Sequence, residues 1–226
     1  MNSAFKNINI EDVLFFDTEV VRKSEHLDIN SKEFQLYQKK IRNKETGELL
    51  PNNEVIEHYN KNAALKIGFN KVVCATTGKV IDGVLYLRSF IGGEEEILRG
   101  LFSKYQTSKY IAGFNIIGYD MPVTRVNSLR YEGVSQLIPE GHNDSGKKSW
   151  SLEKSVIELM DVFKGTHYSN SSLEEVCYHL GIESPKAEID GSQVSEIYYS
   201  EGVEAKIEPY AKKDVHATVN VFCKLQ

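Results

Sequence analysis

Hydrophobic positions in this chain come in short blocks, and the spacing within the blocks switches between the period of a strand and that of a helix. Val13 to Val20 is almost continuously apolar and reads as a buried strand. Lys71 to Thr77 and Val80 to Ile91 read as a strand pair joined around Gly78-Lys79, and the three strands are expected to be neighbours in one sheet. Gly93 to Tyr105 places Ile97, Leu98, Leu101 and Phe102 at helical spacing, with Glu94, Glu95 and Glu96 in the first turn, where negative charge meets the positive end of the helix dipole. Tyr110 to Asn115 returns to strand, Met121 to Arg130 to helix and Val156 to Val162 to strand. Ser171 to Leu180 is a helix opened by a capping box from Ser171 to Glu174 and stopped at Gly181, and a last helix covers Glu208 to Leu225.

Two stretches break the alternation. Arg22 to Lys66 is polar and lysine-rich, partly helical around Lys32 to Ile41, and reads as an insertion; Pro139 to Lys154 is a polar stretch that carries the only tryptophan and reads as a mobile surface loop. The whole pattern predicts one mixed α/β domain over residues 1–226 with a polar insertion at about 22–66.

Composition narrows the class. At 41% hydrophobic and 26% charged the chain matches a globular domain and not a disordered or fibrous one. Its longest apolar runs, such as Val13-Leu14-Phe15-Phe16, are far short of the roughly 20 residues of a membrane span. Met1 to Asp12 has no apolar block of the kind that makes a signal peptide, so a cytoplasmic location with no membrane partner is expected. Cys74, Cys177 and Cys223 are odd in number and set among apolar neighbours, which fits reduced core thiols. A net charge of -5 argues against a nonspecific duplex binder, yet is compatible with an enzyme that grips nucleic acid through metal ions.

The chemistry lies in acids placed where the pattern asks for apolar residues. Strand geometry puts Asp17 and Glu19 on one face together with Val13 and Phe15. Asp120 ends the run from Ile111 to Tyr119, where a strand gives way to a helix, although capping of the helix from Met121 is an alternative role. In the last helix Ile207, Tyr210, Ala211, Thr218, Val221, Phe222 and Leu225 mark an inward stripe, and Asp214 lies on it, four residues after Tyr210. Four inward carboxylates from three distant segments are reconciled if they converge on divalent cations, for which Mg²⁺ and Mn²⁺ suit hard oxygen ligands; two such ions would clamp a phosphoryl group.

These segments resemble the DEDDy branch of the DnaQ-like 3′-5′ exonucleases, in particular the stand-alone predicted exonucleases related to the proofreading domain of family B DNA polymerases. Phe15-Phe16-Asp17-Thr18-Glu19 is similar to the first motif, Gly113-Phe114-Asn115-Ile116-Ile117-Gly118-Tyr119-Asp120-Met121-Pro122 to the second and Tyr210-Ala211-Lys212-Lys213-Asp214 to the third. Ser172 to Gly181 resembles the helix that precedes the third motif, and Pro209 stands where the histidine branch has its histidine. The resemblance implies an RNase H-like mixed sheet of about five strands with helices on both faces, and Asp17 and Glu19 on its central strand. It implies removal of nucleotides from 3′ ends, taken to be those of single-stranded DNA, with release of nucleoside 5′-monophosphates. Two ions, Mg²⁺ or Mn²⁺, would be held with Asp17 bridging, Glu19 and Asp214 completing one site, and Asp120 serving the other through water.

Tyr210 is expected to orient the attacking water. Thr18, Asn115, Lys147, Lys148 and Trp150 are candidate substrate contacts, the last three by phosphate pairing and base stacking. For Asn115 a local structural role is equally open, and for the three loop residues a solvated loop is the alternative. A polymerase or another replication or repair protein is a candidate partner. A noncatalytic nucleic-acid- or polymerase-binding module and an exonuclease acting on RNA are the competing readings.

Overall fold

The computed structural model describes residues 5–43, 45–138, 155–164, 171–184, 189 and 191–226. Its centre is a five-stranded mixed sheet in the order β3-β2-β1-β4-β5. The strands are β1 (Val13–Arg22), β2 (Asn70–Ile81), β3 (Val84–Ile91), β4 (Tyr110–Gly113) and β5 (Val156–Glu158). β1 is antiparallel to β2 and parallel to β4, so the strand with the two acids is central and buried on both faces. That position explains its near-continuous apolar sequence.

Alternation along β1 divides the core in two. Leu14, Phe16 and Val20 pack against α3 (Glu94–Tyr105) and α4 (Met121–Ser128). Val13 and Phe15 face α5 (Leu173–Leu180) and α7 (Ile207–Leu225), and the Phe15 ring meets Phe222 edge-on at 5.3 Å. Near the start of α7, Ile207 and Ala211 pack with Val21, Val73 and Cys74, and with Val194 of α6 (Val194–Glu201). Buried Arg22 pairs with Glu196 at 2.6 Å and stacks on Tyr199, fastening α6 to the end of β1.

Several boundaries differ from the sequence reading for identifiable reasons. β2 runs through Gly78-Lys79, and the hairpin turns at Asp82-Gly83, both with positive φ, between the paired residues Ile81 and Val84. Gly78 is small because α7 crosses it: a Cβ there would lie 2.8 Å from Val215 Cγ1. β5 stops after Glu158, whose carboxylate accepts from the Met160 amide and starts a 3₁₀ helix, Leu159–Phe163, in place of the strand expected to Val162. The capping box is Ser172 with Glu175, one residue later than expected, while Gly181 closes α5 in the left-handed conformation.

The insertion is more than a polar excursion. It holds α1 (Lys32–Lys40) and an unforeseen α2 (Asn52–Asn62), and these bury Phe34, Tyr37, Val55 and Tyr59 with Phe69 in a small core of their own. Tyr59 donates its hydroxyl to Glu33 at 2.6 Å, and Tyr37 touches both Tyr59 and Phe69 edge-on at 4.9 Å. Its two ends, Arg22 and Asn70, are register partners across the β1–β2 ladder. Cys74 and Cys177 are buried thiols as expected, but Cys223 lies exposed on α7. Among the described residues no helix is long and apolar enough to cross a membrane.

Candidate active site

β1 presents Asp17 and Glu19 toward α7, and α7 supplies Asp214 opposite them. One carboxylate oxygen from each lies within 4.8 Å of the others. Glu19 is buried, whereas Asp17 and Asp214 keep partial access to solvent. β4 pairs with β1 only as far as Phe15, so the acidic half of β1 runs on past the end of its neighbour. The chain leaves β4 at Gly113, where an added Cβ would sit 2.9 Å from the Phe16 carbonyl and closer still to Ile116 Cγ2. Beyond Gly113, Asn115 is left-handed at φ 64°, and a five-residue π-helical turn, Ile116–Asp120, delivers Asp120 to the start of α4.

Asp120 is not used as a helix cap. Its Oδ1 accepts from the Thr18 amide at 3.0 Å and from the Thr18 hydroxyl at 2.5 Å, which ties the second motif to the first. It therefore stands beside the three-acid cluster with one oxygen already engaged, and the Thr18 hydroxyl points to Asp120. Tyr210 lies one turn before Asp214, half-buried, with its hydroxyl hydrogen-bonded to Asp214. The Asn115 side chain folds over Gly118, where a Cβ would come 2.4 Å from Asn115 Oδ1. Lys147, Lys148 and Trp150 fall outside the described residues, as does all of 139–154, where the sequence predicts a mobile surface loop.

Electrostatically the cluster is under strain. Burial, and then the charges of Asp120, Glu19 and Asp214, push the Asp17 carboxyl well above the usual carboxylate range. Burial, then Asp214 and Asp120, does the same to Glu19. Asp120 is pushed up to about 7 by burial, against the lowering effect of its Thr18 hydrogen bonds. Burial and then Asp214 drive the Tyr210 hydroxyl in the same direction, so it is a protonated donor at neutral pH. Three converging carboxylates whose neighbouring charges are of their own sign form a hard-oxygen donor set that fits a divalent cation.

Glu158 is a site-building residue absent from the sequence candidates. Buried at the end of β5, it accepts from the Asn115 amide at 2.6 Å, the Ile117 amide at 2.9 Å and the Met160 amide at 3.1 Å. It thereby pins the turn that carries Asp120. Burial raises its pKa and those amides oppose the rise. The signal that singles out the other acids, a carboxylate inside an apolar run, was present in Val156-Ile157-Glu158-Leu159-Met160. Nearby Asp161 is instead exposed and paired with Lys164.

A family model described as "predicted 3′-5′ exonuclease related to the exonuclease domain of PolB" matches residues 57–226. The chain belongs to this family. As a member of these predicted exonucleases it keeps their relation to polymerases in its fold as well. The family B DNA polymerase of the hyperthermophilic archaeon Pyrobaculum calidifontis superposes with a TM-score of 0.58 at 17% identity, over 94% of this chain and 24% of the polymerase. The chain thus spans about a quarter of that polymerase. The shared architecture is the RNase H-like fold of the polymerase exonuclease domain. No curated protein matches the sequence.

The raised carboxylates fix the sign of a stability prediction. Folded protein keeps protons that the unfolded chain has already released, so without metal its stability is complete below the ordinary carboxylate range and falls as pH rises through the Asp120 value of about 7. In excess EDTA the melting temperature should decline between about pH 5 and about pH 8, and Mn²⁺ should restore it most at the alkaline end. A melting temperature that rises with pH in EDTA would contradict this account. Glu158→Gln puts an amide donor among three amide donors and should cost about 1–3 kcal/mol in urea unfolding; an unchanged midpoint would remove Glu158 from its anchoring role.

Proposed function

We propose that the chain is a divalent-metal-dependent 3′-5′ exonuclease that shortens single-stranded DNA and releases nucleoside 5′-monophosphates. The observation that carries the reading is the meeting of Asp17, Glu19 and Asp214 within 4.8 Å in a chain of this family. Two ions, Mg²⁺ or Mn²⁺, would be held by these three acids with Asp17 shared, while Asp120 serves the second ion through water. When bound, such ions supply a nucleophile at neutral pH and stabilise charge on the leaving 3′ oxygen.

The chain's own residues supply position. Tyr210, protonated and held by Asp214, orients the attacking water by its hydroxyl and is too weak an acid to serve as a general base. Thr18 aligns Asp120, and Thr18 and Asn115 remain proposed contacts to the terminal nucleotide. Lys147, Lys148 and Trp150 remain proposed contacts to phosphate and base. A polymerase or another replication or repair protein is the proposed partner class.

Digestion of a 5′-labelled oligonucleotide with Mg²⁺ or Mn²⁺ should give a ladder of shortening products, abolished by EDTA. Parallel RNA substrates identify the preferred sugar. Asp17→Asn should bring turnover to background while its metal-free melting temperature stays level or rises, because one repelling charge has gone. Activity that survives chelation, cuts inside a circular single strand, or full turnover by Asp17→Asn would each refute the assignment.

Tyr210→Phe keeps the ring and deletes the hydroxyl. The single-turnover rate at saturating Mn²⁺ should fall about ten- to a thousand-fold, with oligonucleotide affinity nearly kept, since the lost contact acts mainly in the transition state. A Phe variant as fast as the parent would reduce Tyr210 to packing.

A further inference from the structure

The insertion carries a groove of about 860 Å³ that the carboxylate site does not use. Lys39 and Lys40 from the last turn of α1, Arg42 just after it, His58 from α2 and Lys66 line it, with Glu45 as its one acid. Four permanent cations against one carboxylate is a local reversal in a chain of net charge -5.

The bland reading is a solvated helix end whose lysines complement the helix dipole. It accounts for Lys39 and Lys40, but Arg42 and Lys66 come from other segments. Some basic residues on other helix surfaces are paired one turn away, as in Lys61 with Glu57, Arg99 with Glu95 and Lys212 with Glu208. In the groove the residues one turn before Lys39 and Lys40 are Gln35 and Leu36. Among the described residues none of the four groove cations forms an ion pair; Lys40 instead lies 5.5 Å above the Phe69 ring. The positive charge of Lys66 is strong enough to lower the His58 pKa, second to burial.

One groove residue, Lys66, follows closely on a segment that touches the second motif. β1 runs into the insertion three residues after Glu19, and on the return the Ala64 carbonyl accepts from the Tyr119 hydroxyl at 2.9 Å. Tyr119 precedes Asp120, and Lys66 lies two residues beyond Ala64. A chain of evenly spaced single negative charges matches cations spread over several segments better than a compact anion does.

We propose that this groove holds the phosphodiester backbone of the substrate strand upstream of its 3′ end, an inference that rests on the exonuclease reading. The insertion then sets the length of strand the protein holds, while the carboxylates set the chemistry.

The test uses the full chain and a labelled oligothymidylate in EDTA, with anisotropy followed across a salt series. In Lys39→Ala/Arg42→Ala/Lys66→Ala the affinity should fall at least tenfold, and the slope of log affinity against log salt should shrink by about 2, the sum of three single-strand phosphate contacts. Lys39→Arg/Lys66→Arg should retain both, which separates charge from folding. With Mn²⁺, the triple variant should hydrolyse a trinucleotide as fast as the parent and the long oligomer more slowly.

A triple variant with the parent's affinity and slope overturns the groove while leaving parental digestion, and so the exonuclease reading, intact. A parent that digests nothing yet shows the groove-dependent slope upholds the groove and sinks the exonuclease. Capture of a labelled polyglutamate peptide in place of the oligonucleotide assigns the groove to an acidic protein and overturns the proposal.

Discussion

Mutual repulsion of carboxylates is the constraint around which this fold is arranged. Asp17, Glu19 and Asp214 are brought together in partly desolvated surroundings, where like charges interact far more strongly than in water. Left to themselves they would separate or take up protons. They stay because each sits on an element with no freedom to yield. Two are on the central strand, paired on one side to β2 along its length, and the third is on a helix whose Val215 and Phe222 are locked into the main core. Apolar burial on either side of the cluster thus opposes the repulsion, and a cation would convert the liability into affinity.

The surrounding polar contacts extend the same logic to the second motif. Thr18 lies between Asp17 and Glu19 and points to the opposite face, and from there it takes hold of Asp120. One tripeptide thereby serves two faces of the sheet. Glu158 grips the turn behind Asp120 through three amides, so a buried acid that makes no contribution to the cluster still governs where its neighbour stands. Satisfied networks of this kind are costly to assemble and rigid once made.

Where the sequence was legible, one dominant force acted at short range. Strand alternation around Phe15 and the helical stripe from Ile207 to Phe222 reflect burial alone, and both elements lie where the pattern puts them. The acids stood out because burial and charge conflict. Errors arose where a tertiary contact overrode a local signal. Gly78 resembles a turn residue but is a site of close approach by α7, and the true turn at Asp82-Gly83 was hidden by apolar residues on both sides. α2 escaped notice because Val55 and Tyr59 face a small core formed with α1 and Phe69, and its other positions are polar. Glu158 carries the same mark, a carboxylate in an apolar run, but its role rests on backbone amides of a distant turn, which no side-chain pattern points to.

The pairing of Arg22 with Asn70 has a consequence for what the strand tolerates. Because the insertion leaves and rejoins the sheet at two residues that face each other across a ladder, it is in topological terms the loop of one long hairpin. A turn of two residues or a lobe of dozens closes that hairpin equally well, and the entropy of closure grows only slowly with length. A change in the size of the lobe therefore leaves the register of the strand that holds Asp17 and Glu19 untouched.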